Sequence, residues 1–388
     1  MVTSKSAHPS ALRALATSPL TRRQQLQSLN NGLSILSSQP CRYQYHTATF
    51  GTKTPSPDNV ESSLSKTVFR FETGYALRPK RPSRPFPPPF VSIPSSSFSD
   101  PLTTHSKSQD RRPKVGGELI RGLTNGDDAI LAADNFLGVN DGVGAWATKP
   151  QGHAALILHF WALECERRIS CNSTPDTVEF LQRAYEETLN STNYWLGTTT
   201  SATALLYSTS NTNNDNEENA KPLLYVTNIG DCQIIVIRPS DGKILFKSRE
   251  QWHWFDCPYQ LGTNSVDQPL SNAVLNTLEL AEDDIVLAVS DGVIDNLWDH
   301  EVLANVLESI DKWDSGDIGG WEVERAAGSS SAGSMVFVAR RLLHAALAVA
   351  QDPFAESPYM EKAIDEGLTI EGGKMDDISV VIGQCKRR

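Results

Sequence analysis

Four acidic signatures stand beside short apolar runs in this chain. Asp127-Asp128 precedes Ala129-Ile-Leu-Ala132, and Asp141-Gly142 follows Phe136-Leu-Gly-Val-Asn140. Asp291-Gly292 follows Ile285-Val-Leu-Ala-Val-Ser290, and Asp376-Asp377 precedes Ile378-Ser-Val-Val381. A short apolar run bounded by turn residues reads as a buried strand. A carboxylate at its end lies on the rim of a sheet. Carboxylates gathered at one rim repel one another unless a cation lies between them. An all-oxygen donor set suits magnesium or manganese. Asp141-Gly142 is the strongest pair for this: Asp has two oxygens to offer, and glycine lets a backbone carbonyl approach closely. Read alone, each pair also fits a solvated loop or a hairpin turn. The expected chemistry is hydrolysis assisted by two hard metal ions.

The elements that must hold these acids are legible in outline. The apolar periodicity predicts a helix over 151–168. A second begins at Thr174-Pro175, with Thr as N-cap and Pro in the first turn, and runs to about Leu189. Strands are expected at 67–77, 199–207, 223–229, 233–237, 244–248, 285–289 and 378–383. Helices are expected near 300–310, 333–351 and 357–366. Segment 208–220 is polar and reads as a loop. Helix pairs alternating with runs of strands imply an α+β fold, with antiparallel sheets stacked between helices. No internal repeat is visible.

The chain has 388 residues, net charge −11 and pI about 5.3. That balance argues against nucleic-acid binding, which needs a basic face to displace counterions. Six cysteines without a CxxC pair read as reduced, buried thiols. Spanning a bilayer takes roughly 18 to 20 apolar residues. Met335 to Ala350 is interrupted by Arg340, Arg341 and His344, so it reads as an amphipathic helix and no transmembrane segment is expected.

Residues 1–57 hold six basic side chains and no Asp or Glu. They are rich in Ser, Thr, Leu and Ala, the composition of an organellar presequence. The expectation is a mitochondrial transit peptide over 1–45, with a cut near Arg42, then a disordered linker over 46–66. The folded domain is expected over 67–388. Within it, 79–114 is rich in Pro and Ser. That segment is either a stiff extended linker or a strap pinned over the domain surface.

Taken in order, the motifs are similar to one known family. Asp-Asp-Ala, Asp-Gly-Val-Gly, Gly-Thr-Thr-Thr-Ser-Ala, Asn-Ile-Gly-Asp231, Ser-Asp-Gly-Val-Ile-Asp-Asn and Gly-Gly-Lys-Met-Asp-Asp-Ile-Ser resemble the metal-dependent Ser/Thr protein phosphatases of the PPM family, type 2C. Asp-Gly-Val-Gly-Ala-Trp146, the stretch Gln251 to Leu261, and Asp295-Asn-Leu-Trp298 look like its mitochondrial matrix branch. The resemblance covers about 67–388. It implies a four-layer α-β-β-α sandwich of two antiparallel sheets, with a bimetal site at one end.

The resemblance also implies roles. Asp127, Asp141, the carbonyl of Gly142, Asp291 and Asp376 would hold two Mn²⁺ or Mg²⁺ ions. Asp128 would hold water in the outer shell, and Asp231 would help Asp291 hold a weaker third ion. A hydroxide shared by the two ions would attack the phosphomonoester of a phosphoprotein in the mitochondrial matrix. Three departures stand out. Val143 occupies the place of a histidine proposed to protonate the leaving group. Arg121 is the candidate phosphate clamp, offset by about two residues. Asp377 stands where many relatives have Asn. The rival expectation is a catalytically inactive module that keeps the fold and binds phosphoproteins.

Overall fold

Ile285 to Val289 shows why the chain layers as it does. All five residues are buried. Ile285, Leu287 and Val289 point into one apolar cluster, while Val286 and Ala288 point into another. Alternate side chains of a strand face opposite ways, so this strand has hydrophobic matter on both faces. It belongs inside a sandwich rather than on its surface.

The computed structural model describes residues 68–81, 114–115, 118–148, 154–169, 174–192, 196–209, 220–319 and 332–388. The principal strands are β1 (Phe69–Arg78), β2 (Leu123–Asn125), β3 (Asp128–Ala133), β4 (Phe136–Asn140), β5 (Ser201–Thr209) and β6 (Lys221–Ile229). They continue with β7 (Gln233–Arg238), β8 (Lys243–Lys247), β9 (Val274–Glu279), β10 (Ile285–Val289) and β11 (Ile378–Arg387). The helices that matter here are α1 (Ala154–Ile169), α2 (Thr177–Ser191), α3 (Asp291–Ile294), α4 (Asp299–Ser315), α5 (Ala332–Ala350) and α6 (Pro358–Asp365).

One sheet has the order β1-β11-β10-β7-β8 and the other β9-β6-β5-β4-β3-β2, and every pairing within them is antiparallel. Three apolar layers hold them together. Between the sheets lie Phe71, Leu137, Val139, Val226, Ile234 and Val381. Outside the first sheet, α4 and α5 contribute Val302, Val306, Met335 and Leu342. Outside the second, α1 and α2 contribute Leu156, Trp161, Phe180 and Leu181. Each such side chain stabilises the fold by roughly 1.5–3 kcal/mol relative to exposure. This is the α-β-β-α sandwich expected.

Most expected elements lie within a few residues of their places. The N-cap of α2 is Asp176, not Thr174: its side chain accepts from Glu179 N at 3.0 Å. A carboxylate placed against free N–H groups at a helix start outcompetes a hydroxyl two residues upstream. Strand β9 was missed because it is a half-exposed edge strand whose sequence lacks clean alternation. Gly333 to Ala350 is long and apolar enough to cross a bilayer by length and composition, and half of it is buried in the fold. Its inner face includes Met335, Val338, Leu342 and Ala346 in the core outside the first sheet.

The presequence, the linker over 46–66, most of the Pro/Ser-rich segment and most of the 208–220 loop lie outside the described residues.

Candidate active site

The sheet register alone brings the acids together. Ala129 pairs with Asn140, so Asp128 and Asp141 are neighbours across β3 and β4. Val139 pairs with Ala202 and Ser201 with Ile229, which places the turn holding Asp231 at the same end. Gln233 pairs with Val289, and Val289 with Val380. Asp291, at the start of α3, and Asp376-Asp377, just before β11, therefore belong to that end too. Asp127, Asp128, Asp141, Asp231, Asp291, Asp376 and Asp377 all sit on one rim of the sandwich.

Backbone and side-chain contacts fix each of them. Asp141's carbonyl accepts from Thr199 Oγ1 at 2.7 Å and from Thr200 N at 2.9 Å. The Gly-Thr-Thr-Thr-Ser run thus serves to anchor the acidic turn. Ser379 Oγ donates to Asp128 Oδ2 at 2.7 Å and accepts from Asn125 Nδ2 at 2.8 Å. A Cβ on Gly142 would meet the carbonyl oxygen of Asp127 at 2.2 Å, so only glycine allows this approach of two turns. Both oxygens of Asp377 are taken by backbone: Asp127 N at 2.7 Å and Lys80 N at 2.5 Å. The extra charge at this position pins two chain segments together.

Three cations meet the acids. Lys374 Nζ lies 2.7 Å from Asp291 Oδ2 and 2.8 Å from Asp295 Oδ2. Asn296 holds its backbone, accepting from Lys374 N and donating to Lys374 O. Arg81 Nη2 lies 3.0 Å from Asp127 Oδ2. Lys80 Nζ lies 3.7 Å from Asp376 Oδ1. Lys80 and Arg81 open the proline-rich segment, and there that segment is a strap against the site. Sequence reasoning missed all three as site residues. Lys374 stood inside a quoted motif, whereas Lys80 and Arg81 carried no local signal because their partners are distant in sequence. Arg121 lies on the turn before β2, and its backbone N–H donates to Nδ1 of buried His159.

Charge crowding shows in the proton affinities. Burial, then neighbouring carboxylates, pushes Asp128, Asp141 and Asp231 well above the ordinary carboxylate range. Asp376 is pushed up to about 6, by burial first and Asp291 next. Burial also opposes ionisation of Asp291, but the Lys374 ammonium overcomes it and holds Asp291 below the usual value. Cys232 is pushed well up by burial and by Asp231, which makes it an inert buried thiol.

A hard divalent cation fits this donor set. Buried oxygens of Asp128, Asp231 and Asp291 (Oδ1 in each) have no hydrogen-bond partner. Buried polar atoms are normally satisfied, and an orphan needs a reason such as an ion or water. The donors are all oxygen, and the Gly142 turn is unobstructed by a side chain. Among the described residues, no group of three or more His, Cys, Asp or Glu side chains by itself makes up a metal-binding cluster. Lys374 is the cation that Asp291 faces.

No protein-family model matches the chain. Among known proteins, it is 28% identical over 296 residues to the "Probable protein phosphatase 2C 1" of Oryza sativa subsp. japonica, covering 74% of this chain and 75% of that one. It is 29% identical over 283 residues to the protein phosphatase PTC7 homolog of Xenopus laevis, covering 69% and 83%. The human PTC7 homolog is 28% identical over 287 residues, covering 69% and 81%. Among solved structures, the photosystem II phosphatase PBCP superposes with a TM-score of 0.52 at 22% identity, covering 80% of this chain and 97% of that one. That likeness concerns the fold.

Proposed function

We propose that this chain, similar over two thirds of its length to type 2C protein phosphatases, hydrolyses phosphoserine and phosphothreonine esters of mitochondrial matrix proteins using two Mn²⁺ or Mg²⁺ ions. The observation that carries this reading is the gathering of seven aspartates on one rim, three with buried, unpartnered oxygens. Asp127, Asp141, the Gly142 carbonyl, Asp291 and Asp376 are the residues proposed to hold the two ions. Asp231 with Asp291 is proposed to hold a weaker third. Bound there, the ions would acidify water and offset charge on the phosphoryl oxygens.

The chain's own residues do the positioning. Thr199 and Thr200 fix the Asp141 turn, and Lys374 fixes Asp291. Ser379 holds one oxygen of Asp128, which leaves Oδ1 to accept a proton from water. Two arginines compete for the phosphate oxygens: Arg121 by its place in the sequence, and Arg81 by its reach to Asp127. Val143 has no proton to give, so the leaving alcohol must be protonated by water or another group. Matrix location rests on the basic, acid-free composition of residues 1–57.

The rival, an inactive phosphoprotein-binding module, is disfavoured by the complete acid set. Turnover of a small aryl phosphate with Mn²⁺, with Mg²⁺ and with chelator separates the two. Asp141→Asn should lower turnover by orders of magnitude in a protein whose melting curve stays cooperative. Near-normal activity of that folded variant at saturating Mn²⁺ would refute the bridging role.

A further inference from the structure

A cavity of about 400 Å³ adjoins the aspartate rim. Its walls combine two kinds of group. Trp252, Trp254, Phe255 and Tyr359 supply aromatic surface, and Glu250, Asp256, Asp295, Asp365 and Glu366 supply carboxylates. Among the described residues, Lys362 is the lone lysine or arginine in the lining. The strand Trp252–Trp254 and the turn residues Phe255 and Asp256 that follow it form one side. The C-terminal end of α6 forms the other, where the helix dipole adds negative potential. An aromatic face beside a carboxylate attracts organic cations.

The chain's own lysines already use this chemistry. Lys362 Nζ lies 5.7 Å above Trp252 and 3.0 Å from Glu250. Lys374 Nζ lies 5.0 Å above Tyr359 and 3.4 Å from Asp256. What those lysines do not occupy is the outer part. Trp254 is 69% exposed, and Asp365 and Glu366 are exposed at the mouth. The Asp256 side chain remains 49% exposed despite its contact with Lys374. A large indole left open to water beside three exposed acids is complementary to a cationic side chain.

Lys374 also ties this cavity to the site. It bonds Asp256 and Asp295 of the cavity wall and Asp291 of the rim. The two share a wall, so a peptide whose phosphoserine sits at the rim can lay a nearby side chain into the cavity. We infer that the cavity is a substrate subsite that selects phosphopeptides bearing an arginine or lysine within a few residues of the phosphoamino acid. This inference rests on the phosphatase reading above.

The test is a scan of phosphoserine peptides in which each flanking position in turn carries Arg, Leu or Glu. It is run alongside a small aryl phosphate with no flanking residues. Arg at one position should raise kcat/KM about tenfold over Leu, and Glu should lower it. Added salt should shrink the difference. Trp254→Ala and Glu366→Lys should each abolish the preference and leave turnover of the aryl phosphate unchanged. Both positions are exposed, and melting curves verify that the variants fold. A flat scan, a preference for Leu, or an undiminished Arg preference in both variants would overturn the subsite. Failure to turn over the aryl phosphate at any metal concentration would instead sink the phosphatase reading itself.

Discussion

The ammonium of Lys374 lies 2.7 Å from Oδ2 of Asp291, a carboxylate at the head of α3. Both side chains are largely buried, at 17% and 8% exposure. A buried charge is tolerable only when paired. The pair therefore keeps Asp291 ionised among other acids, and it places a fixed positive charge where metal would also gain from Asp291.

Replacing Lys374 by Met should have two opposite effects. The metal-free protein should lose about 3–5 kcal/mol, because Asp291 is left buried without its partner and Asp295 keeps only Lys362, at 3.5 Å. Mn²⁺ should then raise the melting temperature more than in the parent protein, because the ion relieves that repulsion. Thermal melts across a Mn²⁺ titration measure both. A variant with unchanged metal-free stability would show that the ion pair does not hold the rim.

The two arginines make distinct predictions. If the phosphate is bound by Arg81, Arg81→Ala should raise KM for an aryl phosphate by roughly tenfold or more, the scale of losing one charged hydrogen bond. Arg121→Ala should then leave KM near the parent value. Steady-state kinetics on both variants decides it, and the reverse pattern would return the role to Arg121.

Proton and metal compete at the rim. Asp376 has a folded-state carboxyl pushed up to about 6, against 3.8 ordinarily. Between those values the folded, metal-free protein holds a proton that the unfolded chain has released. Its contribution to stability is thus present at low pH and is lost as pH rises through about 6. Asp128, Asp141 and Asp231 are shifted the same way and add to the trend. The melting temperature gained on adding Mn²⁺ should accordingly grow as pH passes upward through about 6. A gain independent of pH between about 5 and 7.5 would mean that these carboxylates are not the metal ligands.

Residues 1–57 fused to a reporter should direct it to mitochondria, with cleavage near Arg42. A matrix potential, negative inside, draws a cationic presequence inward. Replacing Arg13, Arg22 and Arg23 by Glu should leave the reporter in the cytosol by fluorescence microscopy. Unimpaired import of that triple variant would overturn the matrix assignment.

The sequence by itself determined the layers and the positions of most acids. The all-buried run Ile285 to Val289, the amphipathic helices and the Asp-Gly turns are local patterns, written within a few residues. A carboxylate at the end of such a run can only lie at a sheet rim. The tertiary structure decided what faces those acids. Register across both sheets put Asp128, Asp141, Asp231, Asp291 and Asp376 at one end. Contacts spanning hundreds of residues, such as Lys80 to Asp377, turned the start of a proline-rich segment into a strap. Contacts over shorter separations brought Arg81 to Asp127, 46 residues away, and set Trp254 beside the end of α6. Such pairings have no periodicity to read, because nothing in a residue's near neighbours records which distant charge it will meet.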